Sequence, residues 1–291
     1  MIKHDKTCKR SGALHRLAKF LSRPAAEANS INFTERLDER TIPVALTGLL
    51  PRMAKTQCVG MHNSLLMQSN YENQGLPIGV MHVYNAGLPH QAPRMLHDLV
   101  ALVFCTYGGA DCNIVGEGPL HFRPGRYYFT RVKNDHNECA FHAGLSSYYY
   151  LLLPDWLLEQ LLEEEEFRDS GVLAILYDAS VRSATTLIDE PHQVITESMG
   201  HLLNDLRRLP VTGPALEQAL FRKTMDLLKM ALRQARNGNA HIPATTGIFR
   251  ELCGEAEEQY AREIRRAALR ARFPAWSLWL WDRLVGVNEK R

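Results

Sequence analysis

The chain has no apolar run of the ~18–20 residues that a membrane-spanning helix requires, and its basic start, MIKHDKTCKR, is not followed by a secretory apolar core. A soluble, cytoplasmic protein with no membrane partner is the expectation. Six cysteines (Cys8, Cys58, Cys105, Cys112, Cys139 and Cys253) occur without a CxxC or any paired-ligand spacing. That pattern signals neither a disulfide frame nor a zinc site, so reduced thiols are expected. His-x-His is absent too.

What is present is ordinary globular composition, 45% hydrophobic and 23% charged over 291 residues, enough for one large or two ordinary domains. The net charge of +2 hides an uneven distribution. Residues 1–23 carry seven Lys/Arg against one Asp, residues 241–291 carry nine against seven acids, and the middle is net negative. Basic ends attract nucleic acid, yet so few charges are equally a solvated or frayed helix.

Between Leu99 and Leu153 short β-rich runs (99–107, 120–122, 126–132, 138–142 and 145–153) alternate with Gly, Pro, Asn and Asp clusters. This is the pattern of a small antiparallel barrel. Upstream, 42–59, 61–67 and 78–83 read as its first strands, 70–77 as a turn cluster and 87–94 as a loop. A basic amphipathic helix at 13–21 and a polar linker at 23–40 precede them. Downstream, Asp155 is positioned to cap a helix, and Glu163–Glu166 reads as a solvated acidic face. The stretches 191–208 and 214–234 carry apolar stripes of an antiparallel helix pair. A polar linker follows at 235–246, then a charged helix at 247–272.

These residues carry a resemblance. Gly118, Leu120, Phe122-Arg123-Pro124-Gly125 and Tyr127, then Phe141, Gly144, Tyr148, Leu151, Leu157-Leu158 and Leu161, are similar to the cupin-type sensor domain of AraC/XylS-type transcription regulators. Residues 195–234 are similar to the helices following that barrel. Ser277-Leu278 and Val285-Gly286-Val287-Asn288-Glu289 resemble the first helix and turn of the family's helix-turn-helix. The resemblance implies a small organic effector, a homodimer and DNA as partners, and no cofactor. It places DNA contacts at Ser277, Asn288, Lys290 and Arg291. After Gly286 only five residues remain in this sequence, about one helical turn. Weak, salt-sensitive, sequence-independent DNA contact, from Arg265, Arg266, Arg270 and Arg272 among others, is therefore expected.

Aromatic residues crowd the barrel strands, and small-ligand sites pair apolar walls with a few polar groups. Tyr107, His121, Arg126, Tyr128, Phe141 and His142 are the candidate ligand-binding residues; the arginines and histidines suit an anionic or carbonyl-bearing ligand. Each aromatic is equally readable as core. Phe221, Met225, Leu228 and Leu232 are the candidate dimer contacts, and those stripes could equally complete the core.

The alternative is a cupin-type metal-dependent enzyme with His121, His136, Glu138, Cys139 and His142 as possible ligands. Residues i and i+4 of one strand lie ~13 Å apart and do not converge on one ion. No catalytic residue and no metal ligand is therefore assigned, and no enzyme is expected. A second alternative is a DNA-free module that pairs with a full-length relative. The expected architecture is α+β: a basic helix and linker (1–40), a cupin-like jelly-roll barrel (41–153), a helical dimerisation segment (154–234), a linker (235–246) and a partial helix-turn-helix domain (247–291).

Overall fold

The computed structural model describes residues 35–37, 42–51, 55–61, 64–73, 76–86, 99–114, 118–132, 138–178, 186–190, 193–209, 214–237 and 247–272. The strands are β1 (Glu35–Leu37), β2 (Lys55–Met61), β3 (Ser64–Asn73), β4 (Leu76–Asn85), β5 (Leu99–Tyr107), β6 (Ala110–Ile114), β7 (Gly118–Phe122), β8 (Arg126–Val132), β9 (Glu138–Phe141), β10 (Gly144–Leu152) and β11 (Thr186–Ile188). The helices are α1 (Val44–Thr47), α2 (Asp155–Glu163), α3 (Gly171–Tyr177), α4 (Glu197–Arg208), α5 (Pro214–Asn237) and α6 (Gly247–Arg272).

Two antiparallel sheets result. The larger runs β1-β2-β3-β4-β10-β5-β8-β11 and the smaller β7-β6-β9. The chain is α+β, and its two sheets face each other as a cupin-like barrel. Alternation along the strands sorts side chains onto two faces. The inner face of the large sheet packs against the small one through Leu66, Val83, Cys105, Tyr128 and Tyr148, which meet Ala110, Cys112 and Phe141. Its outer face is roofed by helices. Val80, Phe104, Tyr127, Phe129, Tyr149 and Leu151 lie under α2 to α5 and the first turn of α6, while Leu65, Met67 and Leu145 lie under α1 and the rest of α6.

Several expectations are corrected. Residues 42–59 are not one strand region, because α1 occupies Val44–Thr47 and puts Ala45 and Leu46, with Leu49 beyond it, into the α6 contact. Strand pairing continues through most of the expected turn at 70–77, since β3 runs to Asn73 and β4 starts at Leu76. Within the expected linker at 23–40, Glu35–Leu37 pairs with β2. Asp155 is the first helical residue and not the cap, a place taken by Pro154 without a side-chain bond. The acidic run is not simply solvated. Lys229 Nζ of α5 donates to Glu164 Oε2 at 2.7 Å, and Arg233 donates to both Glu166 oxygens, which holds that carboxyl below its usual range.

The largest correction concerns α5. Leu228 and Leu232 are wholly buried within the chain, and Phe221 and Met225 pack half-buried against the same core. The Tyr127 hydroxyl of β8 donates to the Ala231 carbonyl at 2.9 Å. Side chains wholly covered within their own chain do not reach a second subunit, so Leu228 and Leu232 are core and not dimer contacts, while Phe221 and Met225 keep part of their surface open.

Nor does α6 stand apart as the start of a separate domain. Phe249, Cys253, Ala256 and Tyr260 recur at i, i+4, i+7 and i+11, the stripe of one helical face, and all four are buried against the barrel. Ser277, Asn288, Lys290 and Arg291 lie outside the described residues, as do the helix expected at 13–21, the loop at 87–94, and His136.

Candidate functional site

The six expected ligand-binding residues do not converge. Tyr107 faces α6, where its hydroxyl donates to Glu257 Oε2 at 2.9 Å. A register shift in β10 between Ser147 and Tyr148 lies opposite the strand end that carries it. His121 and His142 are exposed on the small sheet and share one oxygen of Asp111, at 2.7 and 3.3 Å. The His121 hydrogen bond, more than that of His142, holds the Asp111 carboxyl below its usual range. Arg126 pairs with Asp189 Oδ1 at 2.8 Å, contacts the Glu190 carbonyl, and stands 5.9 Å from the Tyr128 ring centre.

Only Tyr128 and Phe141 lie between the sheets, and there they are core. Phe122 meets Tyr128 with ring centres 4.8 Å apart, and Phe141 meets Tyr148 at 6.0 Å. The Arg123 backbone N–H donates to Tyr128 Oη at 2.7 Å, and the Tyr128 hydroxyl donates to the His121 carbonyl at 3.1 Å. Burial pushes the Tyr128 phenol up to about 12, so it stays neutral in these bonds.

The small sheet covers only part of the inner face. Register lays two rows across the large sheet: Gln68, Met81, Tyr148, Cys105 and Arg126, then Asn70, Gly79, Tyr150, Val103 and Tyr128. Tyr148, Cys105 and Tyr128 are buried beneath the small sheet, whereas Gln68, Met81, Tyr150 and Val103 stay half-buried and Asn70 is exposed. This open end of the face is the candidate site.

Its floor depends on Gly79. A Cβ there would run into the Tyr150 ring, so the phenol lies directly over the β4 backbone. The ring is fixed from the side as well: Gln68 Nε2 donates to Tyr150 Oη at 2.7 Å, and the Tyr150 hydroxyl donates to Asn70 Oδ1. Burial raises the Tyr150 phenol, keeping it protonated as that donor. Among the described residues the Gln68 carbonyl oxygen and the Asn70 amide N–H groups have no partner, and both are available to a ligand. Met81 and Val103 supply apolar wall. The polar side chains whose contacts are described here, Gln68, Asn70 and Tyr150, are themselves uncharged and offer a ligand both a donor and an acceptor, whereas Arg126, His121 and His142 make their contacts elsewhere.

Nothing in the sequence marked Gln68 or Asn70. They occupy alternate positions of one strand, but which face turns inward follows from sheet pairing. Among the described residues no three His, Cys, Asp or Glu side chains are grouped so as to hold a metal ion, and no helix is long and apolar enough to cross a membrane.

No known family profile matches the chain, and no curated sequence does. Solved structures give distant likenesses. The AraC-like transcriptional activator CuxR is 10% identical over 88% of this chain and 94% of its own, with a TM-score of 0.32. The cupin domain of an XRE-family transcriptional regulator from Enterobacter cloacae is 13% identical over 27% of this chain and 82% of its own, at 0.21. A structure of the DMSP lyases RdDddP and RnDddQII is 12% identical over 50% of this chain and 93% of its own, at 0.28. Likenesses at this level assign no activity.

Proposed function

We propose that the chain is the ligand-sensing and helical part of a transcription regulator of the AraC/XylS type, not an enzyme, with a small neutral organic effector on the open inner face. One observation carries this reading. The strand β10 presents Tyr150 to the open face and its neighbour Tyr149 to α6, where Tyr149 and Phe249 meet with ring centres 5.9 Å apart. An effector that moves Tyr150 is thus one strand's thickness from the helix that follows the 235–246 segment. The effector acts by binding the two arrangements of that helix unequally, since only differential affinity shifts an equilibrium.

Transcript profiling tests the reading. A strain lacking the gene is compared with the same strain carrying the full chain or its Gln68→Ala variant. Changes confined to a few operons, restored by the full chain but not by the variant, support a ligand-dependent regulator. An unchanged transcript profile contradicts it.

A further inference from the structure

Contrary to the expectation of reduced thiols, Cys112 and Cys139 are joined in a disulfide, while Cys58, Cys105 and Cys253 are buried and outside any disulfide. Cys112 on β6 and Cys139 on β9 face each other directly in the antiparallel ladder, with Cα atoms 4.0 Å apart. No sequence spacing announced this, because the two cysteines are 27 positions apart with two strands between them.

The ladder itself brings the two residues together. Facing residues of a non-hydrogen-bonded antiparallel pair stand ~4.5 Å apart whether or not a bond joins their side chains. The flanking pairs, Asp111 with Ala140 and Asn113 with Glu138, hold β9 on β6 in either case. Thiols and disulfide therefore fit the same sheet, and neither requires it to be rebuilt. Access is unequal: Cys112 is buried, whereas Cys139 is half-buried on an edge strand. Among the described residues Cys105 and Cys253 are quiet as competing thiols, since burial pushes both up to about 12 and only a thiolate exchanges.

We propose that Cys112 and Cys139 form a reversible redox pair that exchanges with a low-molecular-weight disulfide such as glutathione disulfide. In closing, the Cys139 thiol gives up its proton and its sulfur attacks one sulfur of glutathione disulfide. A mixed disulfide forms and one glutathione thiolate leaves. Cys112 then loses its proton and attacks the Cys139 sulfur, the protein disulfide forms, and the second glutathione thiolate departs. Two protein thiols are oxidised by two electrons, one glutathione disulfide is reduced to two glutathione molecules, and the two protons end on the leaving thiolates. Opening is the reverse. The pair is the one covalent tie on β9, a four-residue strand that leads into Gly144, at φ +90°, beneath the Glu257 carboxylate of α6.

The test is equilibration of the full folded chain in glutathione buffers spanning reducing to oxidising ratios, followed by alkylation and mass mapping. Cys112 and Cys139 are expected to change labelling together in one two-electron transition, with Cys58, Cys105 and Cys253 unlabelled throughout. In the Cys112→Ser variant Cys139 should accumulate one glutathione, and in Cys139→Ser no transition should remain at Cys112. A bond that survives every native buffer, thiols that never pair, or pairing with another cysteine would each overturn the proposal. None of these outcomes depends on the regulator reading.

Discussion

The Tyr149 ring on the outer face of β10 meets the Phe249 ring of α6 edge-on, 5.9 Å between centres, while the next residue, Tyr150, lies over Gly79 on the inner face. Adjacent residues of one strand thus touch the candidate site and the terminal described helix. The same helix is held a second time where the Tyr107 hydroxyl meets Glu257.

Removing that second tie loosens α6. Burial first, and then the hydrogen bond to Glu257, push the Tyr107 phenol up to about 12, so the neutral hydroxyl donates at all physiological pH. Hydrogen bonds to charged groups contribute about 1.5–3 kcal/mol, less where solvent reaches them. Tyr107→Phe and Glu257→Gln should each cost about 1 kcal/mol. Hydrogen exchange over 247–268 should rise, with β8 unchanged.

Gly79→Ala should destabilise the fold by about 1–3 kcal/mol through overpacking against Tyr150. In a Tyr150→Ala background the obstacle is gone, and the loss should shrink by more than half. Urea unfolding of the two single variants and the double variant measures the coupling. Equal losses in both backgrounds would show that the ring does not sit where the structure puts it.

Leu228→Ala and Leu232→Ala should each cost about 2–5 kcal/mol as buried core truncations, and leave the sedimentation behaviour of the folded protein unchanged. A change of oligomeric state without loss of stability would restore these residues to an intersubunit contact.

The fold was more legible than the site. Strands at 99–107 and 126–132 and the helix at 247–272 were readable because alternation and 3.6-residue periodicity are properties of the element alone. What periodicity does not encode is the partner of each face. The α5 stripe reads the same whether it covers a sheet or a second subunit, and His121 reads as inward until β6, β7 and β9 are known to form a separate sheet. Gln68, Asn70 and the Cys112–Cys139 pair are products of register between strands distant in sequence, and they were missed for that reason.

One group gives the fold a pH dependence. His82, on the outer face of β4, is almost wholly buried beneath the helices, and burial pushes its imidazole down to about 4, with the Leu49 backbone and Arg207 acting more weakly. A lowered folded value means that the unfolded chain binds the proton first. The contribution of His82 is therefore complete above about 6.5 and is lost as pH falls through about 4. At 1.36 kcal/mol per unit the loss is about 3 kcal/mol. Unfolding free energies between pH 7 and pH 4 should show it, and His82→Leu should flatten the slope over that window.

The central claim, a neutral effector on the open inner face read out through α6, is tested most directly by one binding experiment. The full chain is screened by thermal shift against uncharged polar metabolites, and each ligand found is measured again on Gln68→Ala, Asn70→Ala, His121→Ala and His142→Ala. Loss of one good hydrogen bond should weaken binding about tenfold in the first two variants, leave the histidine variants unchanged, and accompany a ligand-dependent change in hydrogen exchange across 247–268. Ligands that bind Gln68→Ala and Asn70→Ala as tightly as the parent chain, or that leave α6 exchange untouched, would contradict it.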